Sequence, residues 1–108
     1  MESLQVGDMF YIFGHQERVL SCNEADEIYF VDTSNTVLHE QLLILCGNMK
    51  EKNSFYLTFK YKKGFLGTNE EGKLINGLPF YNRGTFTIES FQQALGQQFT
   101  VRTEAVSN

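Results

Sequence analysis

The sequence has no tryptophan, one proline, two cysteines and no apolar run long enough to cross a bilayer. Each shortage removes a class of protein. Cys22 and Cys46 are too few for a disulfide framework. A chain of 108 residues with 42% hydrophobic composition can bury a core without metal or cross-links. One proline and 20% charged residues speak against disorder. The opening MESLQVGDMF lacks the basic-then-apolar layout of a secretory signal. The expectation is therefore a cytoplasmic protein with reduced thiols and no membrane partner.

Basic residues are scarce in one part of the chain only. Residues 1–49 carry eight acids against a single base, Arg18, whereas residues 50–83 carry seven bases against three acids. Such an asymmetry either balances inside the fold or presents two surfaces of opposite sign to different partners.

What is abundant is aromatic: ten phenylalanines and five tyrosines. They fall in short runs separated by polar clusters. Asp8 to Phe13 reads as a first strand with two apolar faces, Met9, Tyr11 and Phe13 alternating with Phe10 and Ile12, so the remaining strands should cover it on both sides. Gly14 to Gln16 turns the chain into Glu17 to Cys22, with Val19 and Ser21 on one face and Arg18, Leu20 and Cys22 on the other. After the acidic turn Asn23 to Asp26, Glu27 to Asp32 is a third strand. Thr36 to His39 reads as strand, and the apolar stretch to Cys46 fits helix or strand, stopping at Gly47-Asn48.

Met49 to Asn53 is polar, a linker by composition. Beyond it Phe55, Leu57, Phe59 and Tyr61 alternate with Tyr56, Thr58, Lys60 and Lys62, a strand with one core face and one cationic face. Gly67 to Gly72 reads as a turn; Lys73 to Asn76 and Leu78 to Tyr81 are two extended pieces around Gly77. Thr87 can cap a helix near residues 88–95 in which Ile88, Phe91 and Leu95 share a face, with Gly96 as its stop. Phe99 to Thr103 is a last strand. The fold expected is mainly β (α+β), a small antiparallel barrel or sandwich with one short helix. It forms a single domain over 1–108, divisible into an acidic β meander, 1–48, and a basic β/α half, 54–104.

From Leu4 to His39, a Val-Gly-Asp opening, an aromatic strand, a short polar turn, an Arg-Val strand and an acidic turn into Glu-Ile-Tyr-Phe resemble the small SH3-like and Tudor-like barrels. Modules of that kind also occur in short phage and mobile-element proteins. The resemblance implies ligands among Pro-rich peptides, methylated side chains and nucleic acid. The lysine-rich strand and the Thr87 helix have no place in a minimal five-stranded barrel.

Residues with chemical capacity are few. His15 with Cys22, and His39 with Cys46, are spaced too far apart along the chain for a structural zinc site. Neither a phosphate loop nor a nucleophile with its base is present, so no enzyme, metal or cofactor is expected. The leading reading is a small interaction protein with a protein partner, of the kind a phage or mobile element uses to inhibit a host system. The alternative is a nucleic-acid-binding module using Tyr56, Lys60, Lys62, Lys63, Tyr81 and Arg83, whose aromatics and bases can stack and neutralise phosphates. Glu24, Asp26 and Glu27 form a second candidate surface. A homo-oligomer is compatible with either reading.

Overall fold

The computed structural model describes residues 3–33, 38–49, 53–79 and 84–103, and its pairing converges on one strand, β1 (Met9–Phe13). The other elements are β2 (Val19–Cys22), β3 (Ile28–Val31), β4 (Leu43–Met49), β5 (Ser54–Phe59), β6 (Phe65–Thr68), β7 (Leu74–Leu78), α1 (Ile88–Leu95) and β8 (Thr100–Arg102). All strand pairs between them are antiparallel. The main sheet runs β3-β2-β1-β4-β5 with β8 added on β1, while β6 and β7 form a separate hairpin. The mainly β class with one short helix is the architecture found, and no closed barrel forms among the described residues.

β1 meets three strands because its two ends pair differently. Met9 and Phe10 face Ile44 and Leu43 of β4, whereas Phe13 lies between Val19 of β2 and Thr100 of β8. Its alternation divides the interior into two. Phe10 and Ile12 enter the main core with Leu20, Leu43, Leu45, Leu57, Phe59 and Phe91, all essentially inaccessible. Tyr11 and Phe13 enter a second cluster with Val19, packed by Val31 and Leu42. The Arg102 guanidinium lies 4.3 Å over the Phe13 ring and pairs with Glu17 at 2.8 Å, closing that side. Both faces of β1 are covered from Phe10 to Phe13, while Met9 at its start is 41% exposed.

α1 seals the main core as its sequence indicates. The Thr87 hydroxyl accepts from the Ser90 backbone N–H at 3.1 Å while the Ser90 hydroxyl accepts from the Thr87 N–H at 2.8 Å, a reciprocal cap. Phe91 is the hub of an aromatic cluster, edge-on to Phe55, Phe86 and Phe99 at 5.7, 5.1 and 5.1 Å.

Five local expectations are corrected. Thr36 and Val37 lie outside the described residues, but Leu38–Gln41 is a 3-10 turn rather than strand, held across the second cluster by a 3.1 Å bond from the Gln41 amide to the Ser21 hydroxyl. β4 does not stop at Gly47-Asn48. A bulge between Leu45 and Gly47 lets the strand run on to Met49, and Gly47 is required because the Tyr56 ring occupies the space a Cβ would take. β5 ends at Phe59, where the Lys62 N–H bonds back to the Phe59 carbonyl at 3.2 Å and closes a turn, and Tyr61 on that turn is 59% exposed instead of in the core. Gly67 and Thr68 belong to β6, and β7 passes through Gly77 as one strand. Gly77 marks a close approach: the Asp26 carboxylate packs where its missing side chain would be, and its own backbone fills the space a side chain at Gly64 would take.

Substitutions on the two faces of β1 should both be severe. Ile12→Ala is expected to cost about 2–5 kcal/mol and Phe13→Ala about 3–5 kcal/mol in urea unfolding. A loss confined to Ile12→Ala would mean that only one face is packed.

Candidate functional site

Two hairpin loops of the same construction frame one end of the molecule. In Asn23 to Glu27 and again in Asn69 to Lys73, the asparagine side-chain oxygen accepts two backbone N–H groups, from Ala25 and Glu27 at 2.9 and 3.0 Å and from Glu71 and Lys73 at 2.9 Å each. In both loops the asparagine N–H also donates to the carbonyl four residues on, at 3.1 and 2.8 Å. The fourth residue adopts positive φ, Asp26 at 63° and Gly72 at 80°. The acidic turn is thus a built loop, and Glu24, Asp26 and Glu27 are exposed on it without converging. Asp26 is engaged: its carboxylate accepts from the buried Asn76 amide at 3.0 Å, and its carbonyl accepts from the Asn76 N–H at 3.0 Å.

Asn76 also donates to the Lys63 carbonyl at 3.2 Å, which brings the lysine turn beside the acidic one. Lys60 and Lys63 are exposed and Lys62 is half-buried. Lys60 lies 5.4 Å over the Tyr61 ring. Tyr56 does not share that exposed surface: its ring lies over Gly47 and edge-on to Phe65 at 5.9 Å. Tyr81 and Arg83 lie outside the described residues. Among the described residues of the basic aromatic site read from the sequence, the three lysines lie together on the turn after β5 and Tyr56 lies apart from them.

The loops open onto a groove of about 500 Å3 between β3, the β6–β7 hairpin and the end of α1, inside the ~300–1,000 Å3 range of ligand sites. Its apolar lining comes from Leu20, Ile28, Tyr29, Phe30, Leu74, Ile75, Ala94 and Leu95. Glu27 and Glu71, with Lys73, supply exposed charge at the rim.

The wall formed by β3 is the outer edge of the sheet. Asn23 donates to the Glu27 carbonyl, and alternation from that pair directs the backbone groups of Tyr29 and Val31 toward β2. Those of Ile28 and Phe30 then face the groove. β7 meets this edge only at the Glu27–Ile75 bridge before diverging, so beyond it the Phe30 amide and carbonyl have no strand opposite them among the described residues. Sequence reading singled out Glu27 of this site and missed the rest, because its residues come from four segments of the chain. The shared loop pattern, NEADE and NEEGK, was the available signal.

The cysteines are free, Cys22 buried and Cys46 half-buried. Burial, the largest influence, pushes the Cys22 thiol above its ordinary value; Lys62 opposes this and Asp26 adds to it. Burial, then Tyr61, likewise push the Tyr11 phenol up. Among the described residues no three His, Cys, Asp or Glu side chains group as metal ligands, and no helix is long and apolar enough to cross a membrane.

No family model, no curated protein and no solved structure matches this chain.

Asn76→Ala should cost about 1–3 kcal/mol, because it removes the donor to the Asp26 carboxylate and the Lys63 carbonyl. Urea midpoints of the two proteins measure this, and equal midpoints would show that the contact carries no stability. Raised thiol and phenol values also set a pH dependence. The folded state favours their protonated forms, so the stability is complete below the unfolded values, ~8.5 and ~10, and lost as pH rises through the native ones. The urea midpoint should fall from pH 8 to pH 11, and Cys22→Ala should delay the start of the fall. A midpoint flat over that range contradicts it.

Proposed function

We propose that this protein is a non-enzymatic interaction domain that binds another protein through the groove between β3, β7 and α1. The observation that carries this reading is a groove with an apolar floor and a charged rim, whose wall is a sheet edge with no strand opposite Phe30 among the described residues. Edges of this kind are normally blunted by charge, proline or a covering element. Here the strand carries Ile28, Tyr29, Phe30 and Val31, and Tyr29 is 42% exposed. The charged groups of the groove are exposed at its rim instead of converging on a point, which suits recognition rather than bond-making. Two carboxylates against one ammonium at that rim disfavour a phosphate backbone.

The exposed Lys60 and Lys63 keep nucleic-acid binding as the second reading, on a different surface. One comparison separates the two. The tagged wild type should capture a protein partner from its native cells. Ala94→Arg, which places a long charged side chain in the groove, should lose that partner while keeping the circular dichroism spectrum and melting midpoint of the wild type. Combined Lys60→Ser, Lys62→Ser and Lys63→Ser should capture it undiminished. Capture lost in the lysine variant and kept in Ala94→Arg would move the contact to the lysine turn. Capture of nucleic acid alone, falling steeply with salt, would replace the proposal by the second reading.

A further inference from the structure

We infer that the occupant of the groove is an extended peptide segment that pairs with the part of the β3 edge, around Phe30, that no strand covers among the described residues, carries apolar side chains at alternate positions and bears a lysine or arginine at one end. This rests on the groove being the protein-binding surface and adds how the partner is held. Three observations select that chemistry.

The first is the main chain. Ile28 and Phe30 direct their backbone groups away from β2, and β7 occupies the edge only as far as the Glu27–Ile75 bridge. The Phe30 N–H and C=O are a donor and an acceptor set side by side at strand spacing, which a strand satisfies and a helix, whose own groups are paired internally, does not.

The second is the floor. Ile28 and Phe30 face the same side as their partners Cys22 and Leu20, the side on which α1 packs. A strand added to β3 alternates its side chains, and every second one enters the space bounded by Leu74, Ala94 and Leu95. The intervening side chains point to the opposite face, beside exposed Tyr29.

The third is charge. The loops that close one end of the groove, residues 23–27 and 69–73, hold five carboxylates and one ammonium. Glu27 and Glu71 reach the rim itself, with Lys73 the single opposing charge. A basic residue at the end of the segment nearest these loops gains attraction, and an acidic one meets repulsion.

The probe is a capped seven-residue peptide of alternating valine and threonine with a terminal lysine, made with the lysine at either end because the groove does not impose strand direction. It is titrated into 15N-labelled protein alongside a form N-methylated at the central valine and a form with glutamate for lysine. The expected result is saturable amide shifts at Phe30 and its β3 neighbours and at Ala94 and Leu95. N-methylation, which removes one donor and blocks pairing, should weaken binding by about tenfold or more. The glutamate form should bind more weakly than the lysine form.

Three results overturn the inference. Binding unaffected by N-methylation yet lost in Ala94→Arg removes strand pairing while leaving the groove as the contact surface. Shifts elsewhere, or none with any peptide, remove the peptide as occupant, and capture by the wild type against Ala94→Arg still decides the groove. Concentration-dependent shifts at Phe30 without peptide assign the edge to a second copy of the chain.

Discussion

Because β1 has apolar residues on both faces, no arrangement that leaves either face in water is stable, and the remaining elements are placed by that demand. Phe10 and Ile12 need α1 and the β4–β5 hairpin above them; Tyr11 and Phe13 need Leu42, Val31 and Arg102 below. Burying large apolar side chains contributes about 1.5–3 kcal/mol each, so four such residues in one strand dominate any local preference. β2, β4 and β8 all pair with β1, β2 at Phe13 alone. With its centre filled in this way, the sheet can end only at β5 and at β3.

Those two ends are treated differently. Phe86 bonds the Phe55 backbone through two hydrogen bonds of 2.7 and 2.8 Å on the β5 side. β3 receives β7 at one bridge and then parts from it, while the Asn76 amide and the Asp26–Gly77 contact anchor the hairpin to the Asp26 loop. The same anchorage that fixes the hairpin therefore leaves the groove. It also joins the acidic and basic parts of the chain at one corner, where Asp26 and Lys63 share the Asn76 side chain as donor.

Strands whose alternation coincides with burial were legible from the sequence, as were Thr87 and Gly96 at the ends of α1. β2 divides as read, Val19 entering one cluster and Leu20 the other. The errors share a physical cause. Periodicity tells which residues lie on the same side, but not where hydrogen bonding ends or what covers the side. The alternation of β5 continues through Tyr61 although the backbone has turned at Lys60. Tyr56 lies on the side opposite Leu57, as read, yet Gly47 and Phe65 take up its ring. The apolar floor of the groove was out of reach of the local loop pattern, since Leu20, Phe30, Leu74 and Leu95 meet only through the tertiary placement of β3, β7 and α1.

Native-state hydrogen exchange, read amide by amide, tests this organisation most directly. The β1 amides should exchange only by global unfolding, and along β3 the Tyr29 and Val31 amides should be protected while Phe30 between them exchanges orders of magnitude faster. Protection of Phe30 equal to that of its neighbours would show that the β3 edge is already paired, leaving no free strand edge for a partner.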